Sequence, residues 1–289
     1  MTEALIMERS ARFPWRGGRP PHIPAGPGEV PQIVLLPGDP ARVDMAVEAL
    51  TDFRIVGQIR EFRFGVGTWD GVPIGVCSTG IGGPSTEIAI VELANLGMEI
   101  AIRIGGMGAI NPDIALGELL VVTEALRGSG AAAHYAAQHE RVLADAVVVE
   151  QLCNAALQFG LQSRRGIAAT TDSYYAGQGR PYRPGGTWQD TTSAWAAKGA
   201  DCLEMETETV LAVSTSLNVS AGAVLGAHNN RTTDHWLEDY AQTQRNLIRA
   251  GAAAGVQVLR ARASSTAAVP LPPRVAPSLS DIPLPLNLS

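Results

Sequence analysis

Apolar residues along the chain fall into short continuous runs that alternate with longer stretches of helical period. Runs of about four to eight apolar residues are typical of buried strands, and apolar residues spaced three and four apart are typical of helices. The short runs predict strands at 33–36, 74–78, 100–104, 119–126, 167–171, 202–206 and 221–227. The helical period predicts helices at 40–50, 85–97, 146–160, 188–199, 207–217 and 236–261. This alternation predicts an α/β fold, in which helices cover a sheet.

The two ends of the chain lack either period. Residues 1–31 are rich in proline, glycine and arginine, and residues 263–289 contain six prolines. Such compositions are typical of extended or disordered segments. We therefore expect an extended N-terminal segment at 1–31, one domain at 32–262 and a disordered tail at 263–289.

Composition narrows the function classes. A formal net charge of −6 gives no electrostatic reason to expect a nucleic-acid polymer as partner. Cys77, Cys153 and Cys202 are widely spaced and form no C-x-x-C pair, which argues against a disulfide framework or a zinc cluster. No apolar stretch reaches the length of an export signal or a membrane span. These features predict a cytoplasmic protein with buried thiols and no membrane segment.

The stretch LLPGDPARV, residues 35–43, leads from a predicted strand into a predicted helix. Asp39 is a favoured N-cap and Pro40 suits the first helical position. Gly38 lets the backbone approach a ligand, and Arg42 adds a cation where helix N-termini already favour anions. The stretch therefore fits an anion site, although a capped helix with a solvated arginine fits these residues equally well.

Two more glycine-rich segments follow predicted strands, STGIGGPST at 78–86 and RIGGMGAI at 103–110. We interpret both as turns, and open α/β sheets place their ligands at such strand ends. A dinucleotide site is not expected, because Ser85 stands where the fingerprint needs its third glycine.

Together, these segments resemble the nucleoside phosphorylase-I family, specifically its uridine phosphorylase branch, over roughly residues 22–260. The matched segments, in the family's order, are PGDPARV, REF at 60–62, STGIGGPST, RIG at 103–105, TDSYYAGQGR at 171–180, EMET at 204–207 and NRT at 230–232. The resemblance implies a three-layer αβα fold with a central mixed β-sheet. It also implies a pentosyltransferase that cleaves uridine or a modified uridine with phosphate as co-substrate and needs no metal or organic cofactor.

The resemblance assigns phosphate binding to Gly38, Arg42, Arg103 and Gly106 of one subunit and to Arg60 of a neighbour. Guanidinium groups suit a dianion because each can donate two parallel hydrogen bonds to phosphate oxygens. Taken singly, each arginine also fits a solvated surface charge. A residue donated by a neighbour implies a homo-oligomer, either a dimer or a hexamer built as a trimer of dimers.

The resemblance places the ribose against Glu206 and Met205, with His22 donated across the dimer interface to the 5′-hydroxyl. A carboxylate can accept hydrogen bonds from the 2′- and 3′-hydroxyls together. The segment LEMETET also fits an acidic helix start that the helix dipole favours. The match of His22 is weaker, because its spacing from PGDP is two residues short.

Base recognition is assigned by resemblance to one set of residues, namely Tyr174, Gln178, Arg180, His228, Asn229 and Arg231. The amide of Gln178 offers a donor and an acceptor to an imide edge, and Arg180 donates to a carbonyl. These two residues, with Arg103 and Glu206, are the predicted catalytic groups. Tyr174 fits a stacking partner of the base or a core aromatic equally well.

The sequence departs from the family pattern at several positions. Gly106 and Met107 stand where relatives carry hydroxyl side chains, and polar His228 and Asn229 stand where aliphatic residues are usual. The polar pair favours a modified uracil as substrate. Relatives also hold a structural monovalent cation, K⁺, at a subunit interface, and the matching residues here are Glu61, Ile81 and Ser85.

Other functions remain open on sequence grounds. They are a nucleosidase that uses water, a purine nucleoside phosphorylase and a non-catalytic nucleoside-binding protein. The three arginines argue against the first, and the absence of an acid in GAHNNRTT, residues 226–233, argues against the second. The missing hydroxyl at Gly106 is the only support for the third.

Overall fold

A mixed β-sheet forms the centre of the fold. The computed structural model describes residues 9–136, 141–186 and 188–268, with side chains described as far as residue 264. The strands in these ranges are β1 (Ile33–Leu36), β2 (Thr51–Ile59), β3 (Phe62–Trp69), β4 (Val72–Cys77), β5 (Ile100–Ala109), β6 (Leu119–Leu126), β7 (Arg141–Leu143), β8 (Ser163–Thr170), β9 (Cys202–Glu204), β10 (Ser220–Asn230) and β11 (His235–Trp236). All belong to one sheet with parallel and antiparallel pairs.

Helices cover both faces of this sheet. They are α1 (Pro40–Asp44), α2 (Gly83–Asn95), α3 (Ala146–Gln158), α4 (Thr192–Ala197), α5 (Thr207–Ser216) and α6 (Ala241–Ala268). Buried residues of α3 and α6 pack on one face, and those of α2 and α5 pack on the other. The predicted α/β class, with three layers and a central mixed sheet, is thereby confirmed. None of the helices in the described ranges is long and apolar enough to cross a membrane.

Strand β1 shows why its sequence is continuously apolar. Ile33 and Leu35 face the α3–α6 layer, whereas Val34 and Leu36 face the α2–α5 layer. All four side chains are fully buried. A strand with helices on both faces has no polar side, so an alternating pattern is not expected.

One part of the sheet closes into a ring. Strand β5 pairs in parallel with β1 and β10 and, at its end, antiparallel with β9. The path from β10 through β6 and β8 also leads to β9. The ring encloses small and medium apolar side chains, including Met107, Leu120 and Leu225. This closure, which the sequence did not predict, brings the ends of β5, β9 and β10 together.

The sequence underestimated the extent of several strands. The hairpin of β2 and β3 was not predicted, and β5 and β10 run on to Ala109 and Asn230. The segments RIGGMGAI and GAHNN are therefore mostly strand, and the predicted turn at 103–110 is wrong. Their glycines are compatible with strands because the neighbouring side chains occupy the space beside them.

The terminal predictions are only partly covered by the described residues. Within 9–31, Ile23, Ala25 and Val30 are buried against the α2–α5 layer, so this segment packs on the domain. Helix α6 continues to Ala268, past the predicted start of the tail at 263. Residues 1–8 and 269–289 lie outside the described residues.

Candidate active site

Two glycine-containing loops meet beyond the carboxyl ends of β1 and β4. The backbone N–H of Thr79 donates to Pro37 O at 2.9 Å, and that of Gly80 donates to Gly38 O at 3.0 Å. A Cβ atom on Gly38 would lie 3.2 Å from Gly80 O, and Gly80 itself has a φ of 72°. Glycine at both positions therefore allows the loops to run side by side.

The first of these loops ends in the predicted cap. Asp39 has extended backbone angles, and its carboxylate accepts from the Ala41 N–H at 2.9 Å. Arg42 follows in α1 and is partly buried. Burial, and then the nearby cation of Arg103, lower the pKa of Arg42. The two predicted phosphate-binding arginines are thus close enough to repel each other, an arrangement that favours an anion between them.

Arg103 is buried among acceptors. Its Nε donates to Glu204 Oε2 and Thr207 Oγ1, both at 3.1 Å, and its Nη2 lies 3.0 Å from Glu204 Oε2 and 2.6 Å from Glu206 Oε2. The guanidinium folds back over the next glycine, since a Cβ on Gly105 would lie 2.8 Å from Arg103 Cζ. Nη1 makes no hydrogen bond within the described residues. Its two N–H groups are therefore available to a ligand.

The three glutamates at the end of β9 and just after it, Glu204, Glu206 and Glu208, have separate partners. Glu204 Oε2 accepts the backbone N–H groups of Glu206 and Thr207 at 2.9 and 2.8 Å, so Glu204 caps α5. Glu208 Oε2 accepts from Gly128 and Ser129, both at 2.8 Å. Glu206 makes no capping bond. The acidic helix start therefore accounts for Glu204, but not for Glu206.

Glu206 faces the glycine-rich loop and Arg103. Its Oε1 accepts the Gly82 N–H at 2.6 Å, and its Oε2 pairs with Arg103. Burial raises the pKa of Glu206, while Arg103 acts in the opposite direction. The carboxylate thus joins Arg103 to the glycine-rich loop at 80–83. Met205 is its partly exposed neighbour.

The predicted base residues form a second group. Gln178 is buried, and its amide nitrogen donates to Thr171 Oγ1 at 3.0 Å while its carbonyl accepts from Arg180. The guanidinium of Arg180 also stacks on Tyr174, with 3.9 Å between Cζ and the ring centroid. Arg231 holds the backbone of this segment by donating to the carbonyl oxygens of Gln178 and Gly179 at 2.9 and 3.1 Å. Arg231 thus supports Gln178 through its main chain.

Asn229 and His228 lie in different surroundings. A Cβ on Gly108 would lie 2.8 Å from Asn229 Oδ1 and 3.7 Å from an Arg180 nitrogen, so Asn229 is near the base group. Its Oδ1 is buried and has no hydrogen-bond donor in the described part of the chain. His228 packs instead against Gly106, a predicted phosphate residue. The structure therefore separates the two residues that the sequence assigned to the base.

The two residues predicted to serve a neighbouring subunit lie apart from these groups. Arg60 is exposed in the β2–β3 turn, where it has a φ of 53°, and its side chain makes no hydrogen bond or ion pair within the described residues. His22 is held by Glu92, with 2.7 Å between Nδ1 and Oε1. Among the described residues, neither side chain has a hydrogen bond, ion pair or ring contact with a predicted phosphate, ribose or base residue, and their roles stay predictions.

The predicted cation residues are only partly assembled in one chain. Ser85 Oγ donates to Glu61 Oε1 at 3.0 Å, while Ile81 is 79% exposed. No group of three or more acidic, histidine or cysteine side chains suited to a metal occurs in the described ranges. The monovalent cation site stays a prediction.

The sequence missed several polar residues that position the site. Thr171 and Thr207 orient Gln178 and Arg103, respectively. Tyr240 and Gln244 contact His228 from the α6 side. The threonines stand inside the matched segments and could have been noted, but the contacts of α6 depend on how that helix packs and leave no local signal.

Comparison with known proteins places the chain in a family. The family model of the phosphorylase superfamily matches residues 32–260. The uridine phosphorylase of Thermococcus kodakarensis is 39% identical over 219 residues, which cover 74% of this chain and 79% of that protein. The uridine phosphorylase of Escherichia coli is 39% identical over 205 residues, with coverage of 69% and 81%. The guanosine phosphorylase of Halorubrum lacusprofundi is 30% identical over 210 residues, with coverage of 73% and 83%. The chain therefore belongs to the phosphorylase superfamily, as its glycine-rich segments predicted.

Proposed function

We propose that the protein is a uridine phosphorylase-like pentosyltransferase, which uses phosphate to convert uridine or a modified uridine into the free base and ribose 1-phosphate. The observation that carries the proposal is the buried contact between Arg103 and Glu206. It joins an anion-binding guanidinium to a carboxylate suited to two sugar hydroxyls. The uridine phosphorylases of Thermococcus kodakarensis and Escherichia coli, both 39% identical, support the same reaction.

The phosphate takes the position between Arg42, Arg103 and the amides of Gly38 and Gly106. An oxygen of the bound phosphate attacks the anomeric carbon while the bond from that carbon to the base nitrogen breaks. The electron pair leaves with the base, so positive charge builds on the ribose and negative charge on the base. The carboxylate of Glu206, with Met205 packing on the sugar, holds the ribose in line for this attack.

The departing base is stabilised by fixed hydrogen-bond partners. Gln178 offers both a donor and an acceptor to the imide edge of uracil, and Arg180 donates to a carbonyl. Arg231 keeps Gln178 in place through its backbone carbonyl. Because these partners are oriented before the reaction, negative charge that develops on the base meets donors without further rearrangement.

The proposal also includes a homo-oligomeric assembly, a bound cation and a cytoplasmic location. A neighbouring subunit supplies Arg60 and His22, so the active protein is a homo-oligomer, and a structural monovalent cation is bound by Glu61, Ile81 and Ser85. A cytoplasmic location suits the free thiols of Cys77, Cys153 and Cys202, because thiols persist in reducing compartments.

The direct test is release of uracil from uridine with and without inorganic phosphate, followed by absorbance. We expect release that depends on phosphate. Release without phosphate would identify a nucleosidase, and no release would favour a binding protein. A panel of uridine, 5-substituted uridines, cytidine, inosine and guanosine then ranks kcat/KM, and a preference for a purine would contradict the assignment of Gln178 and Arg180.

A further inference from the structure

His228 lies at an irregularity between two central strands. Strands β10 and β5 pair in register from Ser220 to Ala227, but Asn229, not His228, is opposite Gly108. His228 is therefore an extra residue, which is a β-bulge. Bulges turn a side chain out of the regular alternation and are frequent beside active sites.

The imidazole of His228 occupies the space that a side chain at position 106 would need. A Cβ atom on Gly106 would lie 2.4 Å from both Nδ1 and Cε1 of His228. Nonbonded carbon and nitrogen atoms do not pack so closely, so a side chain at 106 would force the ring out of this position. The ring in this position and a side chain at 106 therefore exclude each other.

Two residues on the α6 side fix the orientation of this ring. Tyr240 stacks on it with 4.4 Å between centroids and 24° between planes. The amide nitrogen of Gln244 lies 2.6 Å from His228 Nε2. Because an amide nitrogen donates, this contact fits the tautomer in which Nε2 accepts and the ring proton lies on Nδ1. This Nδ1–H group makes no hydrogen bond to any part of the chain that the structure describes.

The surroundings of the ring keep it neutral. Burial, and then the cation of Arg42, lower the pKa of His228 to about 4. The other polar groups that face the ring are the phenol of Tyr240 and the amide of Gln244. At neutral pH, His228 therefore contributes a hydrogen-bond donor without a third positive charge beside Arg42 and Arg103.

We infer that the Nδ1–H of His228 donates to an oxygen of the substrate phosphate. This inference rests on the proposed function, because it concerns the phosphate of the same site. Its grounds are the ring's place against Gly106, its closeness to Arg42 and its fixed, unused donor. Gln244 acts as a positioning residue, since it holds the tautomer.

The test compares KM for phosphate with KM for uridine in four proteins. In His228→Leu, which keeps the apolar bulk, we expect KM for phosphate to rise about tenfold or more, because a hydrogen bond to a charged group is lost. KM for uridine should change less than about twofold, as its contacts do not involve the ring. Gly106→Thr alone should also lose phosphate affinity, because its Cβ collides with the ring.

The double variant Gly106→Thr/His228→Leu is the matched control. It removes the collision and restores a hydroxyl, so KM for phosphate should return to within about threefold of the parent value. An unchanged KM for phosphate in His228→Leu would overturn the inference. So would a double variant as impaired as its worse single parent.

A direct measurement separates failure of this inference from failure of the proposed function. Titration of the unmodified protein and of His228→Leu with inorganic phosphate alone, by calorimetry, needs no turnover. The same proteins labelled with ¹⁵N-histidine report the tautomer. Weaker phosphate binding in His228→Leu and an Nδ1–H signal that shifts with phosphate support the inference even if uridine is not cleaved. Equal binding, or a proton on Nε2, contradicts it even if uridine is cleaved.

Discussion

Three glutamates in the segment LEMETET have different partners although their side chains are identical. Glu204 caps α5, Glu208 binds the loop at 128–129, and Glu206 contacts Arg103 and the Gly82 amide. Local rules predict an acidic helix start, as they predict the cap at Asp39. They do not predict which glutamate is left for a ligand, because that depends on partners more than a hundred positions away, such as Gly82.

Arg42 and Arg103, the two arginines proposed to bind phosphate within one chain, should differ in how far their replacement by alanine lowers stability. Arg42→Ala should raise KM for phosphate about tenfold or more with little change in stability, since Arg42 forms no ion pair in the described structure. Arg103→Ala should also lower the free energy of unfolding by about 3–5 kcal/mol, because it leaves two buried carboxylates without their cation. Steady-state kinetics measures KM for phosphate in both variants, and urea unfolding measures their stability. Replacement of the exposed Arg54 by alanine is the control and should change neither quantity.

Equal stability of the two variants would contradict the central place of Arg103 in this carboxylate cluster. Full activity of Arg42→Ala would contradict the location of the phosphate.

The raised pKa of Glu206 makes the stability of the folded protein depend on pH. Burial raises this pKa above 4.5, so the folded protein retains the proton longer than the unfolded chain. Protonated Glu206 therefore contributes fully to the free energy of unfolding at pH values below its pKa in the unfolded chain. This contribution is lost as pH rises through its pKa in the folded protein. Glu206→Gln should therefore gain stability relative to the parent protein as pH rises above 4.5, while phosphorolysis falls by orders of magnitude.

Thermal unfolding at several pH values, together with kinetics, measures both effects. Glu208→Gln is the matched control, because Glu208 is also buried with a raised pKa but has no predicted substrate contact. An active Glu206→Gln protein would remove this residue from the ribose site.

The predicted ranges of strands and helices match the observed ones best where a single apolar pattern extends over the whole element. Strand β1 and helix α3 lie where the pattern predicted them, and α3 begins with the Asp145 cap. The sequence predicted only the first parts of β5 and β10, because their second halves are rich in glycine and polar residues. There the chain remains extended because side chains such as Arg103 and His228 fill the space beside the glycines. This filling of space depends on side chains from other positions, so it leaves no periodic pattern in the sequence.

The glycine at 105 gives a test at this scale. Gly105→Ala places a Cβ 2.8 Å from Arg103 Cζ, so the guanidinium must move away from Glu204 and Glu206. We expect KM for phosphate to rise at least about tenfold while the strand remains formed. Gly130→Ala is the control, because the nearest atom to its new Cβ, Asp172 Oδ2, lies at the ordinary contact distance of 3.4 Å. An unaltered KM would show that the position of the guanidinium does not depend on this glycine.

For the whole molecule, the sequence predicted the layers but not the closed ring of strands. Ring closure depends on the pairing of β9 with both β5 and β8, a contact between segments far apart in the chain. This closure sets Glu204, at the end of β9, against Arg103. Assembly likewise cannot be predicted from sequence periods, since Arg60 and His22 make no hydrogen bond or ion pair with the predicted phosphate, ribose or base residues of their own chain among those described.

A shared site predicts complementation between inactive subunits. Arg60→Ala and Glu206→Gln proteins, dissociated and reassembled together, should recover activity, because some mixed interfaces hold one intact site. Arg103→Ala mixed with Glu206→Gln is the matched control and should stay inactive, since both residues serve the same chain's site. Recovery in neither mixture, or an active monomer in sedimentation, would contradict the shared site.

The most direct measurement is ³¹P NMR of the protein with uridine and inorganic phosphate, with uracil measured in the same sample. If the site joins phosphate to the anomeric carbon, inorganic phosphate should decline and ribose 1-phosphate should appear in equal amount to the uracil released. The Arg103→Ala protein should show neither change. Uracil release with the phosphate signal unchanged, or no reaction of the folded protein, would contradict phosphorolysis at the Arg103–Glu206 site.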